Sequence, residues 1–208
     1  MSRRPNSELR RAEIVSALLA VMSRYGYEKA TIQLIAQEAG LAPGLLHYHF
    51  KTKAEIFLEL VKTMVDGAQR RYDALATSAQ TPKQCLHAYI TARLGLGDGA
   101  DTSAVAAWVV IGAEAVRQPE VRQVYQQAAQ AELALIEQLL SACLKQRGKQ
   151  LKSVTHLAAS LLAYMEGAFQ LASAAPDIMP SGYAADMALQ LVLRYIDAEP
   201  DMPARARP

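Results

Sequence analysis

An all-α fold of about nine helices is predicted for this 208-residue chain, with a small N-terminal helix-turn-helix domain and a larger helical domain after it. Three observations predict it. Apolar residues recur at three- and four-residue spacing through most of the chain, the period of a helix with one buried face. Aromatic residues make up only 6% while alanine, leucine and glutamine are abundant, a composition suited to helices. Proline and glycine mark most of the boundaries between the periodic stretches.

The first helix is expected over Glu8 to Tyr25, where Ile14, Ala17, Leu18, Val21, Met22 and Tyr25 form one stripe. Gly26 follows at the position where a left-handed backbone costs glycine nothing. Thr31 caps a second helix that buries Ile32, Ile35, Ala36 and Ala39. Gly40 ends it and makes a turn. Pro43 and Gly44 open a third, very short helix, since proline in the first turn loses no hydrogen bond. Two lysines, Lys51 and Lys53, come next. Such a short, exposed, braced helix has the layout of an element that enters a DNA major groove.

Thr52 and Glu55 then form a capping box for a long helix reaching about Ala79. This helix begins in the first domain and ends beyond it, so it is a mechanical link. Pro82 starts a helix ending near Leu94. Gly95, Gly97, Asp98 and Gly99 form a loop with no lysine and no preceding strand, which argues against a phosphate cradle. Ser103 to Arg117 and Glu120 to Arg147 are helices separated at Pro119. Ser153 to Ala174 follows, and Pro176 and Pro180 bound a turn before the last helix, about Gly182 to Asp197. The expected domains are 1–53 and 54–199, with 200–208 a frayed tail.

Charge narrows the function classes. Through Lys53 the chain carries eight basic residues (Arg3, Arg4, Arg10, Arg11, Arg24, Lys29, Lys51, Lys53) and four acids (Glu8, Glu13, Glu28, Glu38), hence +4, against +2 for the whole. Positive charge is concentrated where phosphates would lie. No apolar run approaches the roughly 20 residues of a membrane span. Ile14 to Met22 lacks a small-X-small cleavage site after it and reads as an amphipathic helix, not a signal peptide. Cys85 and Cys143 stand alone without metal-ligand spacing, as reduced thiols of a cytoplasmic protein do.

The segment from about Glu8 to Leu60 resembles the N-terminal domain of the tetracycline-repressor family of bacterial regulators. Gly26-Tyr27, Thr31, Ile35-Ala36, Ala39-Gly40-Leu41, the Gly44 to Phe50 core and Lys51-Thr52-Lys53 carry the resemblance, in order. It implies a DNA operator as partner. Gln33, Pro43, Gly44, Leu45, His47 and His49 are then expected at or near base edges, where glutamine can bond adenine and leucine can touch a thymine methyl. Thr31, Tyr48, Lys51 and Lys53 are expected on phosphates. Phe50 should pack against Val21 and Ile35, with Leu41 and Leu46 also in the core; His49 can equally brace the short helix. The family usually carries Thr or Ser where Leu45 stands and Tyr where His47 stands. The first change removes a hydroxyl, and the second introduces an imidazole, so DNA affinity is expected to rise below pH 7.

The resemblance also implies that the last two helices pair with their copies in a homodimer. Leu161, Met165, Ala168 and Ala172 on one helix, and Ala184, Met187, Ala188, Leu191 and Tyr195 on the other, form the expected interface. A monomer would struggle to cover both stripes. Gly167 with Ala168 would let helices approach closely. A small-molecule effector is expected among the middle helices, with Met64, Tyr89, Trp108, Ile111, Glu114, Tyr125, Tyr164 and Phe169 as candidate contacts. Each is also an ordinary core residue type. The Ala107-Trp108 helix before Pro119, with Glu166-Gly167, resembles the C-terminal domain of choline-responsive betaine-pathway repressors. That implies a cationic effector held by Trp108 and an acid; a neutral or anionic metabolite stays open, as does activation in place of repression.

Two other classes are weighed against a ligand-released repressor. An α-helical enzyme would need Glu114 or Glu166 to work with His87 or His156, yet no triad order, Glu-X-X-His pair or metal spacing joins them. A partner-binding scaffold would explain the apolar last helices but not Gly40 to Lys53. No cofactor or metal is expected.

Overall fold

In a computed structural model of the chain, residues 4–96 and 102–203 are described. Arg3, Gly97, Asp98 and Gly99 of the expected loop, and 204–208 of the expected tail lie outside them. Among the described residues there are nine α-helices and no strand: α1 (Arg4–Tyr25), α2 (Ile32–Glu38), α3 (Pro43–His49), α4 (Lys53–Ala76), α5 (Pro82–Leu94), α6 (Thr102–Arg117), α7 (Pro119–Gln146), α8 (Val154–Ala174) and α9 (Tyr183–Ala198). A 3-10 turn, Pro176–Ile178, precedes α9. α1 starts four residues before the expected Glu8, and α4 stops three residues short of the expected Ala79. None of these helices is long and apolar enough to cross a membrane.

The chain divides into two compact units, and not at residue 53. The first comprises residues 1–66 with 107–128, and the second 67–106 with 129–208. The divide cuts α4, α6 and α7 along their lengths; α4 and α7 each supply apolar side chains to two different cores, whereas α6 gives Ile111 and Ala115 to the first.

In the first unit α1 buries Ile14, Leu18, Val21 and Met22 against Ile35, Leu46, Phe50, Ile56 and Phe57. Tyr25, expected on that stripe, is 52% exposed instead, with the Arg24 guanidinium 5.8 Å from its ring. Ile111, Ala115 and Val121 complete this core. Phe50 and Leu46 are buried as expected, and Leu41 is partly buried at the edge.

The turn between α2 and α3 is set by Gly40 in the left-handed region (φ +67). Its amide donates to the Gln37 carbonyl at 3.1 Å, and the Leu41 amide donates to Ala36 at 2.9 Å. Both bonds of a Schellman motif are therefore present. Thr31 caps α2, its hydroxyl accepting from the Leu34 amide at 3.2 Å. Thr52 caps α4 by accepting from the Glu55 amide at 3.1 Å, while the Glu55 carboxylate accepts from the Lys51 amide at 2.7 Å. Caps of this kind contribute about 1 kcal/mol each. An Arg24–Glu38 ion pair ties α1 to α2.

In the second unit Leu86, Tyr89, Ile90 and Leu94 of α5 pack with Ile136, Leu140 and Leu144 of α7 and with the inner faces of α8 and α9. A charged cluster sits in it. The Arg93 guanidinium donates to both oxygens of Glu132, at 2.6 and 3.1 Å, and to the Ala68 carbonyl at 2.7 Å. The Tyr89 hydroxyl donates to Glu132 at 2.6 Å. Burial would lower the Arg93 pKa, but the hydrogen bond and charge of Glu132 outweigh it and hold it above its ordinary value. Removing one partner of such a buried pair costs about 3–5 kcal/mol.

The expected frayed tail is corrected for its first residues. The Gln150 amide donates to the Pro200 carbonyl at 2.9 Å and the Met202 amide to Gly148 at 2.7 Å. Lys149 pairs with Asp201 at 2.8 Å. Backbone bonds left open after α7 thus fix residues 200–202. Cys85 is half-buried, Cys143 is buried, and both thiols are free.

Candidate nucleic-acid interface and effector region

α3 is seven residues long and carries one buried residue, Leu46. A helix of two turns cannot sustain itself in water, so its footing matters. Leu46 and the C-terminal Phe50, at most 1% exposed, sit in the first unit's core. The opposite face is presented outward: Pro43, Gly44, Leu45 (44% exposed), His47 and Tyr48 (75% exposed). Gln33 and Thr31, on and beside α2, are exposed as well. His49 is half-buried, its ring edge-on to Tyr48 at 5.1 Å.

The two lysines behave differently. Lys51 is exposed, and its ammonium donates to the His47 carbonyl at 3.2 Å. Lys53, expected on a phosphate, is half-buried and turned inward. Its ammonium donates to the Tyr27 carbonyl at 2.8 Å and lies 4.1 Å from the centre of the Tyr27 ring. Burial pushes its pKa down, and the charges of Glu120, Glu28 and Glu114 offset part of that. Lys53 therefore clamps the α1–α2 turn to the start of α4, a role that the spacing Gly26-Tyr27 to Lys53 does not disclose.

The candidate effector residues fall in both units. Met64, Trp108, Ile111, Glu114 and Tyr125 belong to the first, and Tyr89, Tyr164 and Phe169 to the second. In the first, the Trp108 and Tyr125 rings lie 5.1 Å apart at a 32° tilt. Gly112 on α6 faces Tyr125, whose ring lies 3.7 Å from where a Cβ would stand, an ordinary packing distance. Ile111 is wholly inside the core. The buried Glu114 has its partner in the chain itself, since Arg117 donates to it at 2.9 Å. The carboxylate also lies 3.2 Å from where a Cβ on Gly26 would stand, so an alanine there would crowd it. A carboxylate satisfied in this way no longer demands a ligand.

In the second unit Tyr89 is fully buried, and burial first, then the Glu132 charge, pushes its hydroxyl pKa up. It is a core residue. Tyr164 and Phe169 are half-buried, with the Tyr164 hydroxyl donating to the Ala184 carbonyl at 3.2 Å. A cavity of about 240 Å³ in this unit is lined by none of the candidates; Leu96, Thr102, Val105, Ser173, Met179 and Tyr183 are among its walls.

The pairing face also needs correction. Leu161, Met165, Ala168, Ala184 and Ala188 are at most 4% exposed, because α8 and α9 cover one another and the α5–α7 core with those residues. Ala172 is half-buried. The remaining members, Met187, Leu191 and Tyr195, are 44, 51 and 43% exposed at i, i+4 and i+8 along α9. On α8 the exposed residues include Ala159, Ala163, Gly167 and Leu171, a four-residue repeat overshadowed in the sequence by the larger side chains of the inner face, with the polar His156, Ser160 and Gln170 exposed beside it. Gly167 thus faces away from Ala168, and nothing lies within 4 Å of where its Cβ would be.

Residues 14–60 match the family described as bacterial regulatory proteins, tetR family. Residues 82–200, more than half the chain, match the BetI-type transcriptional repressor C-terminal domain. Among curated relatives, the transcriptional regulator BetI of Agrobacterium fabrum is 30% identical over 115 residues, 55% of this chain and 55% of that protein. The BetI regulator of Rhizobium meliloti is 32% identical over 117 residues, 55% and 56% of the two chains. The chain thus spans about half the length of the curated relatives it matches. Among solved structures, a transcriptional regulator from Rhodococcus sp. Rha1 covers 91% of this chain and 99% of its own at a TM-score of 0.71 and 24% identity. A regulator from Saccharomonospora viridis in complex with choline covers 93% and 98% at 0.67 and 23%. At these identities the structures speak for the fold. These relatives are regulators, not enzymes.

Proposed function

Because the chain belongs to the TetR family of bacterial regulatory proteins and carries a BetI-type C-terminal domain, we propose that it is a homodimeric repressor that reads a palindromic operator with α3 and is released by a small-molecule effector. The observation that carries this reading is α3 itself. Its exposed Leu45, His47 and Tyr48 are held up by a helix whose other side is anchored through Leu46 and Phe50. Rigid presentation matters because ordering a floppy reader would draw on binding energy. Gln33, Leu45 and His47 are proposed to meet base edges, and Thr31, Tyr48 and Lys51 to meet phosphates.

The exposed stripe Met187, Leu191 and Tyr195, with Ala159, Ala163, Gly167 and Leu171, is proposed to pair with its twofold copy. Two readers one helical turn apart, about 34 Å, then engage successive major grooves. The test is a salt-dependent mobility shift on the DNA upstream of the chain's own coding sequence. Binding that weakens steeply with salt supports the reading. Equal affinity for every duplex of the same length counts against an operator.

For the effector, the proposal is an organic cation resting on the Trp108–Tyr125 ring pair, supported by those rings and by the choline complex of the S. viridis regulator. An effector releases DNA only by preferring the state that fits the operator poorly. The chain has one tryptophan, so its fluorescence reports that ring alone. Choline and tetramethylammonium, titrated at constant ionic strength, should change it saturably and weaken the DNA complex. An unchanged signal into the millimolar range rejects a cation at this ring.

A further inference from the structure

We propose that Arg11 is a positioning residue of the DNA reader, fixing the C-terminal end of α3 instead of binding phosphate; the inference rests on the reading of α3 given above. By sequence Arg11 is one of eight basic residues in an N-terminal cluster, and charge counting assigns it to the DNA backbone. Its surroundings assign it elsewhere. One guanidinium nitrogen donates to the His49 carbonyl at 2.9 Å, and the other donates to the Glu59 carboxylate at 3.0 Å. The guanidinium carbon lies 4.0 Å from the centre of the Phe50 ring. A single side chain on α1 therefore joins the last residue of α3, its buried C-cap and α4.

The physical need is specific to a helix this short. The last carbonyls of any helix have no partner within it. In α3 the Phe50 amide takes the Leu46 carbonyl at 2.9 Å, and the Lys51 ammonium reaches His47. The His49 carbonyl is taken by Arg11. A cation at the negative pole of the helix is favourable in itself. A planar fork can stack on Phe50 while its two nitrogens point at a carbonyl and a carboxylate, which a lysine cannot reproduce. The tilt of Leu45, His47 and Tyr48 toward a groove is thus set partly from behind, by a residue that touches no base.

Salt dependence separates positioning from phosphate contact, because each phosphate contact contributes about 0.9 to the slope of log affinity against log salt. The full-length chain, Arg11→Met, Arg11→Lys, Glu59→Gln and the charge-balanced double variant Arg11→Met/Glu59→Gln would be titrated by fluorescence anisotropy. The probes are the upstream duplex and a scrambled duplex, across a salt series below each variant's melting temperature. Arg11→Met is expected to weaken specific binding about tenfold, to narrow the specific-to-scrambled ratio, and to leave the salt slope unchanged. Arg11→Lys should recover only part of that loss, and Glu59→Gln should weaken binding about two- to threefold. A slope lowered by about 0.9 with the ratio intact would make Arg11 a phosphate ligand and overturn the proposal. Unaltered affinity in folded variants would reduce it to a stabilising contact and overturn it equally. If Arg11→Met fails to fold, Arg11→Lys and Glu59→Gln decide between the same outcomes. A wild-type chain that binds no duplex rejects the reader, and this proposal with it.

Discussion

α3 and α9 both expose large apolar side chains, and they do so in opposite ways. On α3, a helix of seven residues, Leu45 and Tyr48 stand beside histidines, with Lys51 just after the helix. On α9, Met187, Leu191 and Tyr195 run as a continuous stripe along sixteen residues, backed by a core that holds Ala184, Ala188, Val192 and Ile196. Isolated apolar groups in a basic setting suit a surface that probes a polyanion with base edges behind it. A continuous stripe suits a second helix, because water would otherwise cover a contiguous run of hydrocarbon. Exposure alone therefore does not name a partner; its pattern and its charged surroundings do.

That contrast can be broken experimentally, and the largest effect is expected on α9. Leu191→Glu puts a charge in the stripe and should leave a folded monomer by analytical ultracentrifugation. Operator affinity should fall more than about a hundredfold, since losing the second reader removes its high effective concentration. Retained dimers would place the pairing face elsewhere. On α3, Tyr48→Ala should keep the dimer and the melting temperature, and weaken operator binding by about tenfold, or 1.4 kcal/mol, in anisotropy titrations. A dimerisation defect there would mean that the two surfaces are not separable.

Lys51→Ala sharpens the comparison further. It should weaken specific and scrambled duplexes alike and lower the salt slope by about one. Lys53→Met should instead lower the melting temperature and leave the slope alone, since its ammonium is spent on Tyr27 and Glu28. The smallest effect is expected from Gly167→Ala. A Cβ there meets nothing in the single chain, so helix propensity should raise chain stability by up to about 1 kcal/mol. Dimer dissociation should rise, because the methyl group fills space a second helix needs. An unchanged dissociation constant would remove Gly167 from the interface.

How much of this was legible in the sequence depends on how local the cause is. Thr31, Gly40 and Pro43 announce α2, the turn and α3 because caps and left-handed positions act over four or five residues. The outward set on α3 follows from the same short-range geometry. The inward turn of Lys53 does not, since the carbonyl it binds is 26 residues away. The same holds for Arg11 with Glu59, 48 apart, and for Arg93 with Glu132, 39 apart. On α8 and α9 the periodicity marked apolar faces correctly but not what covers them. Leu161 and Met165 are inside, while the smaller Ala163 and Gly167 look outward. For the candidate effector residues the difficulty is chemical: Tyr89 and Ile111 are the same residue types whether they line a pocket or fill a core.

The central claim is that two copies of α3, held apart by the α8–α9 pairs, read one duplex. Footprinting of the upstream DNA combined with mass measurement of the complex tests it most directly. The account predicts two chains per duplex and two protected half-sites about one helical turn apart. A single chain bound to one half-site with undiminished affinity, or uniform protection with no half-sites, would contradict it.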